Sequence, residues 1–185
     1  MIEMNVKHRI LDAASRLFYT QGYNLTGINQ IIEEAGIAKA SLYSHFPSKS
    51  NLLLAYLNQQ SRNFFSDLEK FIKDSNGGRK KILAIFEYHI YAYESSGFIG
   101  CPFLKIKAEV KCDETAVLNV VKENKDRLRR LIREQVVLLK EQQDLSNENL
   151  TDTLYFLLEG STVTATITKS TAEMKSALGI VKSMI

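Results

Sequence analysis

Apolar positions repeat at helical spacing along nearly the whole chain. Between residues 5 and 21, Ile10, Leu11, Ala14, Leu17 and Phe18 fall at i, i+1, i+4, i+7 and i+8, one face of an α-helix. Gly22 follows that face and predicts a left-handed residue just past the helix end. Thr26 is the expected N-cap of a short second helix carrying Ile28, Ile31, Ile32 and Ala35, with Gly36 as its stop. A third short helix over 38–45 turns Leu42 inward. It ends at Phe46-Pro47, because the residue before a proline is pushed out of the α region. Ser48 then caps a long helix whose apolar face runs through Leu52, Leu53, Tyr56, Leu57, Phe64, Leu68 and Phe71 to about residue 74.

Ser75-Asn76-Gly77-Gly78 reads as the clearest linker in the chain. Residues 79–95 form the next predicted helix, with Ile82, Ile85, Phe86, His89, Ile90 and Tyr93 on adjoining faces, and Ser95-Ser96-Gly97 breaks it. Gly100-Cys101-Pro102 is a turn leading into a helix that reaches Glu109. Thr115 opens a long amphipathic helix to about Gln143, Ser146-Asn147 is a loop and cap, and helices over 148–168 and 170–184 follow. Within the first of these, Ser161 to Thr168 alternates β-branched residues as a strand would. A lone strand would have no partner in this chain, so helix is the prediction.

The fold class that results is all-α. A three-helix helix-turn-helix head occupies residues 1–47. A helical ligand-binding and dimerisation domain is expected over 48–185, with 48–74 as the connecting helix.

Composition adds little to this picture and removes some alternatives. The chain has 185 residues, 45% hydrophobic and 24% charged, with only two prolines, as an ordinary globular helical protein would. Its net charge of +3 is compatible with a polyanionic partner, yet residues 1–60 carry Lys7, Arg9, Arg16, Lys39 and Lys49 against Glu3, Asp12, Glu33 and Glu34. A case for DNA therefore rests on where charges sit. Two cysteines, Cys101 and Cys112, make no disulfide framework or metal finger. No metal site and no cofactor are expected. The chain has no signal-peptide core and no apolar run near the roughly 20 residues that span a bilayer, so a cytoplasmic protein without membrane partners is expected.

One stretch carries a specific pattern: Ile10-Leu11-Asp12-Ala13-Ala14, Leu17-Phe18, Gly22-Tyr23, Thr26-Gly27-Ile28, Ile31, and then Ala35-Gly36-Ile37-Ala38-Lys39-Ala40-Ser41-Leu42-Tyr43-Ser44-His45-Phe46-Pro47-Ser48-Lys49. It resembles the TetR/AcrR family of transcriptional regulators. Two positions depart from the family's habit. Ala38 stands where a hydroxyl cap is common, at a cost of roughly 1 kcal/mol. Ser50-Asn51 stands where an acidic residue is frequent. Gly100-Cys101-Pro102-Phe103 with Glu109 resembles, over a short span, one subgroup with a Gly-Cys turn between ligand-domain helices.

The resemblance implies a double-stranded DNA operator as partner. It places a phosphate-contacting lysine at Lys49, where exposed N–H groups of a helix start also favour a phosphate; the plain alternative is a surface lysine on a helix end. It gives Tyr43 a phosphate bond, although the ring can equally pack against the second helix, and both can hold. Lys39, Ala40 and Ser41 head the third helix, where base edges come within reach: lysine donates to guanine and a small methyl approaches thymine. Thr26 and Gly27 would bring the second helix's N-terminus to the backbone. His45 either contacts phosphate or caps its own helix.

In the second domain, Phe86, His89 and Tyr93 share a helix face, and Cys101, Phe103 and Tyr155 could join them around a small-molecule effector. Each is read equally well as core with a satisfied polar tip. Cys101 is either a redox-sensitive thiol or a small buried hydrophobe. The basic run from Lys122 to Arg133 reads as a solvated helix face. The resemblance implies a homodimer through the last two helices (148–184), where Gly160, Ser161, Thr164, Ala165, Ala172 and Ala177 would let helices approach closely. The expected function is a repressor whose dimer binds a near-palindromic operator and is released by ligand. An enzyme is not expected, since no Glu-x-x-His pair, Ser/His/Asp set or phosphate loop occurs. A protein-interaction module that keeps the head without DNA binding is the remaining alternative.

Overall fold

The computed structural model describes residues 5–139 and 145–185. Among these residues the secondary structure is helical throughout: α1 (Val6–Thr20), α2 (Ile28–Ala35), α3 (Lys39–His45), α4 (Lys49–Ile72), α5 (Gly78–Ser95), α6 (Pro102–Glu109), α7 (Thr115–Val136), α8 (Asn147–Thr168) and α9 (Ala172–Met184). They form two compact units. The first holds the chain up to Arg62 together with Pro102–Lys122, and the second holds Asn63–Cys101 together with Glu123–Ile185.

In the first unit, α1, α2 and α3 pack on one another. Ile10, Ala14, Phe18, Ile31, Leu42, Leu52, Leu53 and Leu57 supply a buried apolar core. Phe18 meets the rings of Tyr23 and Tyr56 edge-on at 5.4 and 5.6 Å, a geometry aromatic quadrupoles favour. The punctuation behaves as its chemistry predicts at three points. Gly22 and Gly36 take positive φ (95° and 61°) after α1 and α2. Phe46 is extended (φ −136°, ψ 97°), which ends α3. Ser48 Oγ accepts the Asn51 N–H at 3.1 Å and opens α4.

Thr26 departs from its expected role. The N-cap of α2 is Gly27, with no side-chain cap. The Thr26 hydroxyl instead donates to the Gly22 carbonyl at 2.6 Å, inside the α1–α2 turn. A buried hydroxyl bonds the nearest free carbonyl, and the turn offers one before the helix does.

In the second unit, α5, α8 and α9 pack together around Leu68, Ile82, Ile85, Phe86, Ile132, Leu154, Leu158, Ala165 and Val181. Ser75–Gly78 lies within this unit rather than between units. Gly78 is buried and starts α5; a Cβ there would stand 2.2 Å from the Gln135 carbonyl oxygen. Gly78 is thus a close-packing position, whereas Gly77 turns the chain at φ 84° with open space around it; the segment joins α4 to α5 inside one unit. The apolar face of this part of α4 also turns further than expected, with Phe65, Leu68 and Ile72 buried and Phe71 43% exposed. α7 stops at Val136, short of the expected end near Gln143, which itself lies outside the described residues.

The β-branched run in α8 is helical, for a visible reason. The hydroxyls of Thr162, Thr164, Thr166 and Thr168 each donate to a carbonyl of the preceding turn, of Glu159, Gly160, Thr162 and Thr164 respectively, at 2.8–3.1 Å. Back-bonding lets such side chains sit in a helix without seeking a partner strand.

Candidate nucleic-acid interface and effector cluster

The helix-turn-helix is built around a hinge of two residues. Gly36 in the left-handed region gives its N–H to Glu33, and the Ile37 N–H returns to the Ile32 carbonyl at 3.2 Å. That pattern closes α2 and swings the chain into α3. α3 buries only Leu42. Lys39, Ala40, Tyr43 and His45 are exposed along it, and Ser41 is half-buried. The Ser44 hydroxyl is folded back on the Ser41 carbonyl at 2.9 Å. A seven-residue helix held by one leucine, with a lysine and a tyrosine outward, has the width and polarity that a DNA major groove accepts.

The flanking residues divide. Gly27 is exposed at the start of α2, whereas Thr26 is buried below it. Lys49 is half-buried: its Nζ donates to the Tyr23 carbonyl at 2.7 Å and lies 4.2 Å from the centre of that ring. Burial pulls its pKa below the ordinary lysine value, and Glu109 opposes this. Burial also raises the Tyr23 phenol, with Glu114 adding to the shift. The first unit also carries residues that the sequence reading passed over. Glu109 accepts the Asn24 N–H at 2.7 Å, Lys105 donates to the Tyr19 carbonyl at 2.7 Å, and Ser50 donates to Glu114 at 3.0 Å. Gly22 admits the Glu109 carboxylate, which would lie 2.8 Å from a Cβ there.

Within the second unit a polar cluster joins α5, α7 and α8. Lys125 forms an ion pair with both carboxylate oxygens of Glu159 at 2.8 and 2.7 Å, and its Nζ lies 3.5 Å from Cys101 Sγ. Burial works to lower the Lys125 pKa, but Cys101 and Glu159 outweigh it and hold the ammonium above its usual value. Tyr93 is raised chiefly by burial, against hydrogen bonds with Thr166 and Thr162. Tyr155 is raised by burial and then by Glu159. His89 is buried, donates from Nδ1 to the Ile85 carbonyl at 2.8 Å, and meets Phe64 edge-on. Burial depresses its pKa to about 4; the Ile85 bond opposes the shift and Lys125 adds to it.

Of the expected effector residues, Tyr93, Cys101 and Tyr155 meet around Lys125, and Phe86 and His89 are buried on α5. Phe103 belongs to the first unit, where it is buried. Lys125 stands in the run that reads as a solvated face, and Glu159 lies on α8 outside that run. That reading suits Arg127, Arg129 and Arg130, which pair with Glu69, Asp152 and Glu123 at the surface. Lys125 differs because it shares the stripe of Val121, Leu128 and Ile132, so a charge in an apolar register was the available signal. Tyr155, Glu159, Thr162 and Thr166 likewise fall on one face of α8, at i, i+4, i+7 and i+11.

Residues 10–56 match the family of bacterial regulatory proteins called the tetR family. Over those residues the chain carries the helix-turn-helix head of the tetR family. Among curated relatives, it is 32% identical over 92 residues to the HTH-type transcriptional activator FasR of Mycolicibacterium smegmatis, covering 49% of this chain and 42% of the relative. It is 52% identical over 54 residues to the HTH-type transcriptional regulator LmrA of Bacillus subtilis, covering 29% of each. The chain thus spans less than half the length of these TetR-type relatives. Its fold resembles that of reduced E. coli NemR, with a TM-score of 0.85, 21% identity and 98% of both chains covered. A TetR-family regulator from Streptomyces coelicolor matches at a TM-score of 0.85 and 24% identity, over 97% of this chain and 93% of the other. Among the described residues, no group of three or more His, Cys, Asp or Glu side chains is placed to hold a metal, and no helix is long and apolar enough to cross a membrane.

Proposed function

We propose that the protein is a DNA-binding transcriptional regulator and no enzyme, acting as a repressor. A homodimer binds a near-palindromic operator and is released by a small-molecule effector. Residues 1–47 form its DNA-binding head, and 48–185 its ligand-binding and dimerisation domain. The observation that carries the reading is α3: a short helix after a left-handed glycine turn, anchored by Leu42 alone, with Lys39, Ala40 and Tyr43 outward. Lys39, Ala40 and Ser41 read base edges. Gly27, Tyr43, His45 and Lys49 contact the phosphates, and Thr26 positions the turn that carries Gly27. Lys49 reaches its phosphate by leaving, or sharing, the Tyr23 carbonyl.

Dimerisation is supported by large apolar side chains on α8 and α9. Phe156 is 64% and Ile167 76% exposed, and nothing stands within 4 Å of where a Cβ would sit on Gly160 or Gly179. An isologous four-helix packing of these faces would set the two heads about one DNA turn apart, roughly 34–36 Å. The effector binds at the cluster of Tyr93, Cys101, Tyr155, Lys125 and Glu159, against the Phe86 and His89 face. Regulation requires only that the effector favour the spacing that DNA does not, and a coupling of about 1–3 kcal/mol suffices for a 5–150-fold loss of affinity.

The test is fluorescence anisotropy of the protein against DNA from upstream of its own gene. Tight binding that falls steeply with salt, and that weakens at least about tenfold in Tyr43→Ala or Lys49→Ala, is expected. Affinity that is weak, equal on every sequence and insensitive to both substitutions would overturn the reading in favour of an interaction module.

A further inference from the structure

α3 has little to fix its orientation. It buries one leucine, and its N-cap, Ala38, offers no side-chain bond. Its direction is therefore set by the preceding turn, Gly36–Ala38. The carbonyls at the end of α2 need partners, because a helix leaves its last four unsatisfied. The turn itself serves Ile32 and Glu33. Ala35 and Gly36 are served from another helix: Arg9 Nη2, on α1, donates to the Ala35 carbonyl at 2.5 Å and the Gly36 carbonyl at 2.7 Å. A Cβ on Gly36 would stand 3.0 Å from that same nitrogen.

The geometry points to Arg9 as a positioning residue for the recognition helix. One planar NH2 bridges two successive carbonyls on either side of the hinge and fixes the peptide planes from which α3 departs. The guanidinium also sits at the negative end of the α2 dipole. At the other end of α2, Gln21 and Gln30 exchange amide bonds at 2.8 and 3.2 Å. Arg16 pairs with Glu34 between them, at 2.6 Å. α1 and its C-cap Gln21 thus hold α2 at both ends, and only the Arg9 contact falls on the hinge. Arg9 does not touch DNA in this role; it acts through the angle of α3.

This inference rests on the DNA-binding reading, and two measurements separate them. Arg9→Met keeps the aliphatic stem and removes the donors. Its affinity for the upstream DNA is expected to fall about tenfold, the usual scale for charged hydrogen bonds lost. Affinity for a scrambled duplex, and the slope of log affinity against log salt, should stay as they were. Arg9→Lys should recover part of the loss. An unchanged specific affinity overturns the proposal, and so does a slope reduced by about one, which would make Arg9 a phosphate contact. Amide hydrogen exchange in Arg9→Met without DNA is the second measurement. Faster exchange over residues 36–45, with α1 unaltered, is expected. Loss of protection in α1 as well would overturn the role in favour of general stabilisation. If the unaltered chain shows no sequence-selective DNA binding, the functional reading fails, while the exchange result still tests the hinge.

Discussion

Two polar arrangements, one in each unit, make a contrast. In the first unit, three long cations hold main-chain turns: Arg9 bonds the Ala35 and Gly36 carbonyls, Lys49 that of Tyr23, and Lys105 that of Tyr19. In the second, polar side chains meet one another inside the helix packing around Lys125, which meets Glu159, while Tyr93 meets Thr162 and Thr166. A cation on a carbonyl fixes the path of the chain. A cluster of titratable groups between helices fixes little of the path and instead stores charge and hydrogen-bonding capacity. The first arrangement suits a surface that must present a rigid shape to DNA. The second suits an interior that can exchange one set of partners for a ligand's.

The sharpest way to break the second unit alone is at Gly78. Replacing it with alanine drives a methyl to within 2.2 Å of the Gln135 carbonyl and 3.1 Å of the Leu138 carbonyl carbon, both backbone atoms that cannot rotate aside. The expected cost is about 3 kcal/mol, the upper range for overpacking. Thermal melting checks it, with amide exchange in α1–α3 as the contrast; a wild-type melting point would show that α5 and the end of α7 separate freely.

A smaller and gentler separation of the two units uses pH. His89 is held neutral, its pKa lowered from 6.5 to about 4, mainly by burial. The unfolded chain binds this proton from pH 6.5 downward and the folded chain does not, so the stability it confers is intact above 6.5. It drains away as pH falls towards 4. The integrated loss is about 3 kcal/mol across the window, and only part of it, roughly 2 kcal/mol, is felt by pH 5. Urea titrations at several pH values should show this slope, and His89→Phe should flatten it by one proton. An identical slope in the variant would place the titration elsewhere.

The same contrast explains what could be read in advance. The head was legible because its turns demand particular residues: Gly36 for the left-handed hinge, Phe46-Pro47 for the stop, Ser48 for the cap. Arg9 escaped notice because any long donor on α1 looks solvated until the α2 carbonyls are seen beside it. In the second unit the helices were legible from period alone, including α8, where back-bonded threonines overrode strand propensity. The interior was harder. Periodicity says that position 125 faces inward, but not that Glu159 waits there. Gly77-Gly78 has the composition of a linker, and only the approach of the Gln135 carbonyl shows that Gly78 is a glycine for want of space.

The smallest effect returns to the first unit and tests whether its rule is local. Ala38 has the extended backbone of an N-cap (φ −78°, ψ 149°) and no side chain to serve α3. Ala38→Ser supplies a hydroxyl for one free N–H of the recognition helix, with an expected gain of about 1 kcal/mol. If α3 is held chiefly by its hinge and Leu42, the gain should appear as slower exchange over residues 39–45, with α5, α8 and α9 unmoved. It should also add to the Arg9→Met loss without cancelling it, because a cap steadies the first turn of α3 while the guanidinium sets its direction. A serine that restored sequence-selective binding to Arg9→Met would mean that fraying, and not misdirection, is what Arg9 prevents.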